Sequence, residues 1–586
     1  MTQSMQSTRR NLGASTLPII SEVSDEGNLD HPDEIFLQVF HLLPLEMRDP
    51  LTRASKRSWN ISNDYTLWLL FAQAHGFPIG EVDKDQNTEV DNKKSLQDKI
   101  PGMVINEVKK RIQSMPDWPT KKKLLNRLEQ PITMHALKKM LNYREALFKD
   151  TITVYKKLAK QASLPLIAQK YLENFETLET WFQLHHKRLK KVKKLDLRDN
   201  QLTALPDTLG KLSSLEELDL RDNQLTSLPD TLIGLFSLLR LNLKGNQLTA
   251  LPDILDDLKT LEVLDLSHNQ LSSIPDTLGW LRTLKNLNLS HNYLSSIPDS
   301  LGWLRTLLKL DLSYNQLSFI PDTLGALSSL KNLNLSDNQL TVLPDTLDGL
   351  SSLKNLDLSY NQLTTLPDTL GRLRTLLRLN FCHNQLTYFP EALCRLSSLL
   401  RLDFSYNQLT ALPDSLTWLR ALKTLELSDN QFSIIPEVLG KLSTLENLYM
   451  NDNQLTSFPE ALCGLSALEN LYLGYNQLTV LPDTLDGLRS LKVLSFAGNP
   501  IESLPDSLGL LEDLEYLLLD NNKRKTFPSI VEKLKSLKVL SLSGNQIEDF
   551  PESLDHLIDL EEINLIGNNI ESIPESLAHN TVIFSN

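Results

Sequence analysis

The stretch LDLSHNQLSSIPDTLGWLRTLKN, Leu264 to Asn286, is followed without a gap by LNLSHNYLSSIPDSLGWLRTLLK, Leu287 to Lys309. The same 23-residue unit runs seventeen times from Leu195 to Ser585. With the first leucine of each unit as offset 0, Asn stands at offset +5 and Pro at offset +11 in all seventeen, from Asn200 and Pro206 to Asn568 and Pro574. Apolar residues recur at offsets 0, +2, +7, +10, +14, +17 and +20. A period of this length describes a solenoid, in which one unit cannot bury its own apolar side but stacked neighbours can. The L-x-L start alternates with period 2 and reads as a short strand. The Asn side chain both donates and accepts, so stacked copies can satisfy backbone groups where the chain turns inside the core. The Pro fixes φ and removes a donor as the chain turns onto the far face. An acid fills offset +12 in every unit except at Ser529, which reads as first-turn chemistry of a short helix.

These residues resemble the leucine-rich repeat (LRR) family in its 23-residue LPxxLxxLxxLxxLxLxxNxL form. The resemblance implies an α/β solenoid, here a 17-unit horseshoe behind an α-helical N-terminal region. Strands about 4.8 Å apart would give an inner arc of about 80 Å, exposing offsets −2, −1, +1, +3 and +4. Surfaces of this kind bind proteins more often than small molecules.

The 586-residue chain is 41% hydrophobic and 23% charged, which excludes a wholly disordered protein. It has no run of about eighteen apolar residues, and no apolar stretch follows Arg9-Arg10, so no Sec-type signal peptide is expected. The three cysteines, Cys382, Cys394 and Cys463, are too few for a disulfide framework and fit a reducing, cytoplasmic compartment. The net charge of −14 is uneven. Residues 84–194 hold 25 Lys/Arg against 12 Asp/Glu. Their runs, Lys121–Lys123 and Lys187–Lys194, could meet anionic lipid or nucleic acid, although a solvated helix face beside an acidic solenoid explains them more simply. No nucleic-acid partner is expected.

Offset +4 carries His268, His291, Tyr314, Tyr360, His383, Tyr406 and Tyr475, interspersed with Asp337, Asp429 and Asp452, and offset +1 adds Tyr449 and Tyr472. Tyr gives large contact area at low entropy cost, so these nine aromatic and imidazole residues are the candidate target-binding surface. Lys285, Lys309, Lys331, Lys354, Arg378, Arg401 and Lys423 line the neighbouring edge. The alternative is a solvated sheet face whose acids and bases pair across columns. His268 and His291 fall on adjacent strands, but two imidazoles without a third ligand make a poor metal site. Cys382 precedes His383, yet adjacent strand residues diverge, so a thiol–imidazole nucleophile is not expected. Cys394 and Cys463, at offset +15, are placed on the outer side. Trp280, Trp303 and Trp418 share offset +16, where the first two would pack together. Arg524, at the normally apolar offset +7, implies a local bulge.

The front of the chain divides into a polar segment, 1–29, expected to be disordered, a helical segment, 30–72, and a basic helical region, 73–194. In 73–194, Met134, Leu137 and Leu141 share one helix face, as do Tyr171, Phe175, Leu178 and Phe182. The last helix, Ser163 to Lys191, should cap the first repeat. In HPDEIFLQVFHLLPLEMRDP, His31 to Pro50, Ile35, Phe36, Val39, Phe40 and Leu43 fall at helical spacing and Pro44 closes the helix. Leu67 and Trp68 add a second apolar cluster. Pro32, Glu34, Ile35, Val39, Phe40, Leu43, Pro44, Asn63, Asp64, Leu67 and Trp68 resemble the F-box pattern, departing from it at His31, at Met47 to Pro50 and at Trp59. With Phe36 beside them, the apolar ones are the candidate adaptor-binding residues. The resemblance implies docking on the small Skp adaptor of a cullin-type ubiquitin ligase while a second module, often an LRR array, captures the target.

No phosphate-binding G-x-x-x-x-G-K-[ST] loop, kinase signature or H-E-x-x-H is present, and the chain is read as a non-enzyme without cofactor or metal. Two readings follow. One is an F-box/LRR substrate receptor whose uniform, bacterial-style repeats imply an effector acting in a eukaryotic host's cytoplasm. The other is an intracellular LRR scaffold for a small GTPase or phosphatase, with no ligase connection.

Overall fold

The computed structural model describes residues 134–501, 503–551, 554, 557–570 and 581–583. The F-box-like segment, residues Lys121–Lys123 and the side chains of Met134, Leu137 and Leu141 lie outside the described residues. The described residues divide into two compact units, one within 134–149 with 169–180 and one within 150–168 with 181–583.

In the first unit, Asn174 and Thr177 form a reciprocal cap: Thr177 N–H donates to Asn174 Oδ1 at 3.0 Å and Asn174 N–H to Thr177 Oγ1 at 3.3 Å. This cap starts α2, Phe175–Leu189, so the helix predicted from Ser163 begins a dozen residues later. Ser163 instead takes a left-handed backbone (φ 52) just beyond the end of α1, Met134–Gln161. Tyr171 lies outside the long helix, in a 3-10 turn.

The second unit holds the repeats. Strand β1, Lys194–Asp196, pairs in parallel with β2, Glu217–Asp219, and Leu195 faces Leu218 in register. Each later strand repeats that pairing one unit on, through β17, Glu562–Asn564, giving one continuous sheet. An eighteenth strand, β18, Thr581–Ile583, pairs with β17. The sequence period hides it because the last unit closes early, with Val582 opposite Ile563.

The offset +2 and +7 leucines are almost wholly buried; Leu312 and Leu317 have 0% exposure. Burying such a leucine contributes about 2 kcal/mol. Fourteen of the prolines immediately precede a five-residue 3-10 helix, for example Asp299–Trp303 behind Pro298 (φ −73), whereas behind Pro482 the helix is shorter, Leu485–Gly487. The offset +12 acids stand in the first turn of these helices, where the sequence reading placed them, as Asp276 and Asp299 do. They accept from the next unit, as in Thr323 Oγ1 to Asp299 Oδ1 at 3.1 Å. Close stacking also explains glycine at offset +15: a Cβ on Gly302 would sit 2.1 Å from the Thr323 carbonyl oxygen. Where Cys fills that offset, the side chain turns inward, so Cys394 and Cys463 are buried rather than outer residues.

The offset +5 asparagines do what their chemistry predicts. Asn315 Nδ2 donates to the carbonyls of Leu289 and Leu312, both at 3.0 Å, and its Oδ1 accepts from Leu294 N–H at 3.0 Å. One amide thus serves two consecutive units. The first repeat is closed by the cap: Asp150 accepts from Thr203 N–H at 2.7 Å and Ala204 N–H at 3.0 Å. Tyr155 packs between Trp181 and Phe182 and hydrogen-bonds Thr208 Oγ1 at 2.8 Å.

Asn315→Ala orphans buried carbonyls and an N–H in two units, and should lower stability by roughly 3 kcal/mol. Urea unfolding followed by circular dichroism checks this; a loss below about 1 kcal/mol contradicts the ladder's role.

Candidate functional site

The strand residues at offsets −1 and +1 point away from the buried leucines and line a groove of about 1060 Å³ across eight strands, from Val263 to Thr424, and as far as Glu446 just before the ninth. Its floor is polar. Asp311 Oδ1 accepts from Ser313 N–H at 3.0 Å, and Asp357 Oδ1 accepts from Ser359 N–H at 3.0 Å. Along offsets −2 and −1, glutamates one rung away neutralise the bases toward both ends. Lys285 meets Glu262 at 2.7 Å, Arg401 meets Glu426 at 2.5 Å and Lys423 meets Glu446 at 2.6 Å. Between these pairs, Lys309, Lys331, Lys354 and Arg378 are exposed. The face is therefore paired at its flanks and cationic at its middle.

The offset +4 column is displaced from where the sequence reading put it. Strands span only offsets −1 to +1, and offset +4 lies beyond them in left-handed backbone, with φ between 52 and 56 wherever it is not glycine. None of these side chains lines the groove. They form its rim, as two stacks of three rings. His268, His291 and Tyr314 stack at 4.0 and 4.1 Å, and Tyr360, His383 and Tyr406 at 4.1 and 3.8 Å. Asp337 separates them. Stacking offsets the cost of left-handed backbone, which is uncommon for bulky side chains. Stacked inner rings meet each other face to face, so a partner meets ring edges and hydroxyls. Burial and then neighbouring His291 lower the His268 pKa, which favours a neutral ring in the stack.

Family models described as "Leucine rich repeat" match residues 190–409 in overlapping segments and 432–478. A "Leucine-rich repeat region" model matches 459–581, and a further repeat model matches 421–442. The chain belongs to the leucine-rich-repeat proteins. It is similar to an LRR protein of Leptospira interrogans, with 34% identity and a TM-score of 0.61 over 65% of this chain and 97% of that one. It is also similar to the plant peptide hormone receptor RGFR1, solved in complex with RGF2, with 28% identity and a TM-score of 0.56 over 68% and 71% of the two chains. No curated protein matches the sequence.

Within this LRR face, Tyr449 and Tyr472 do lie on the strand floor, stacked at 4.9 Å. They continue a feature that the sequence reading passed over. Asp403, Glu426, Tyr449 and Tyr472 face one another along four consecutive strands. Burial, and then the Asp403 carboxylate, push Glu426 up to about 7 against the pull of Arg401. The signal was present at offset +1, where the Asp/Asn run gives way to Glu and Tyr.

The remaining candidates resolve plainly. The Cys382 thiol is pushed up to about 12 by burial and nearby carboxylates, and His383 stacks on tyrosines, so the two make no nucleophile. Among the described residues, no three metal-ligating side chains gather and no helix is long and apolar enough to cross a membrane. Trp280 and Trp303 pack edge to face at 5.1 Å, and Trp418 is exposed. Arg524 is half-buried and keeps the regular ladder contact, its N–H donating to Asn545 Oδ1 at 3.0 Å, so the expected bulge is not seen, although Lys523 beside it has left-handed backbone (φ 59). The nine adaptor-binding candidates, Pro32 to Trp68, lie outside the described residues.

Glu426 ionises near its ordinary value when unfolded but only near pH 7 in the fold. The native state holds the extra proton in between, so stability falls as pH rises through that window. Glu426→Gln should melt like the parent near pH 4 and gain roughly 2 kcal/mol by pH 8. Melting curves across that range test this, and a gap independent of pH contradicts it.

Proposed function

We propose that this protein is a non-catalytic substrate receptor. Its LRR inner face and rim hold a target protein, and its F-box-like segment, residues 30–72, docks on a Skp-type adaptor of a cullin ubiquitin ligase. The observation that carries the receptor half is the groove itself: a long, polar, preorganised surface whose charges are paired at its ends and open at its centre. The rigid ring stacks at the rim supply area without much side-chain entropy to lose. The peptide-bound plant receptor is a protein of the same fold that takes a polypeptide ligand, which supports a protein partner here. The adaptor half rests on Ile35, Phe36, Phe40, Leu67 and Trp68 and their spacing. The reducing compartment implied by three free thiols is the host cytoplasm if the protein is a bacterial effector.

The decisive experiment is a pull-down with purified Skp-type adaptor. The full chain should retain the adaptor, and Ile35→Glu with Phe40→Glu should abolish retention while circular dichroism shows the repeats intact. Equal retention by both chains, or none by the parent, rejects the ligase connection and leaves an LRR scaffold. Replacing Tyr314, Tyr360 and Tyr406 together by Ala should lose target capture from host lysate but keep the adaptor.

A further inference from the structure

Twelve bases occupy offsets −2 and −1 of the array. Eight of them lie within 3.1 Å of a glutamate carboxylate on the neighbouring rung, from Lys193 with Glu216 to Lys538 with Glu515. The four exceptions are consecutive: Lys309, Lys331, Lys354 and Arg378, on strands β6, Lys309–Asp311, to β9, Arg378–Asn380, or on the residue just before the strand. Leu308, Asn332, Asn355 and Leu377 stand beside them where glutamates would close the pairs. The acids of the same rungs are engaged elsewhere. Asp311 and Asp357 each accept two hydrogen bonds at Oδ1, from the N–H and the hydroxyl of the serine two residues on.

Like charges on adjacent strands repel, and a chain that pairs every other base on this edge leaves these four to an outside counter-charge. The row is also amphipathic, because Leu308 and Leu377 are half-exposed at its two ends. We propose that this row is the docking site for an extended acidic segment of the protein partner. Its carboxylates meet Lys309, Lys331, Lys354 and Arg378, and its apolar side chains cover Leu308 and Leu377. Three rung spacings are about 14 Å, the reach of some four or five extended residues. This inference rests on the receptor reading above and names the chemistry of the segment that the groove accepts.

The test uses the full chain and fluorescence anisotropy of a labelled octapeptide of alternating Glu and Leu. Alternating Ser–Leu and Lys–Leu octapeptides and an eight-nucleotide oligothymidylate are the comparison probes. Lys331→Gln with Lys354→Gln should weaken the Glu–Leu peptide about fivefold to tenfold. Lys492→Gln with Lys538→Gln removes the same charge from paired positions and should leave binding within about twofold. Asn332→Glu with Asn355→Glu, which supplies the missing internal acids, should weaken it as the first variant does. Equal loss from both lysine variants, no selection over the Ser–Leu peptide, or tighter binding of the oligothymidylate overturns the proposal. Adaptor retention by the same protein is measured alongside. A chain that holds the adaptor but ignores the acidic peptide sinks this inference alone, whereas the reverse result sinks the ligase connection and keeps the acidic site.

Discussion

In fifteen of the seventeen units, all but those of Asn200 and Asn522, the asparagine at offset +5 replaces the sheet hydrogen bonds that the chain gives up on leaving the strand. Its amide donates to a carbonyl of the preceding unit and to one of its own, and its carbonyl oxygen accepts an N–H of that same preceding unit, as Asn361 does for Leu335, Leu358 and Leu340. Buried polar groups without partners are costly, so this arrangement admits one spacing between units and one register. Everything lateral to the ladder then falls into straight columns. Threonines at offset +19 add a second, shallower ladder, as where Thr306 Oγ1 donates to the carbonyls of Arg282 and Leu284. The functional face follows from this constraint: residues 23 apart in sequence become neighbours, so a charge or ring repeated at one offset becomes a row.

Much of this was legible in the sequence because the period is strict. Leucine spacing, the Asn and Pro offsets and the acidic column gave strand, turn and 3-10 segments close to their places. The errors came where backbone conformation, rather than polarity, decides direction. His268 and Tyr314 read as strand-face residues, but left-handed backbone at offset +4 turns them onto the rim. Cys394 read as an outer residue, but its side chain is buried. The shortened last unit hid β18, since its Val582 falls off the 23-residue count. The Asp403–Glu426 contact joins two unlike residues and so is invisible to a search for repeated letters. The F-box pattern, by contrast, rests on residue spacing alone.

The two halves of the proposed mechanism ask different things of the chain. The repeats offer a rigid, prepaid geometry, in which paired glutamates silence most of the basic edge and leave one cationic stretch for an acidic partner. In the proposal, segment 30–72, expected from its sequence to be helical, is too short to bury a core of its own and would complete its fold against an adaptor. A receptor of the proposed kind would join the two and bring a target near a ligase.

Hydrogen–deuterium exchange of the full chain, read by mass spectrometry with and without Skp-type adaptor, tests the central claim most directly. The account predicts protection confined to residues 30–72, with exchange across the repeat strands unchanged. Protection centred on the LRR face instead, or none anywhere under saturating adaptor, would contradict it.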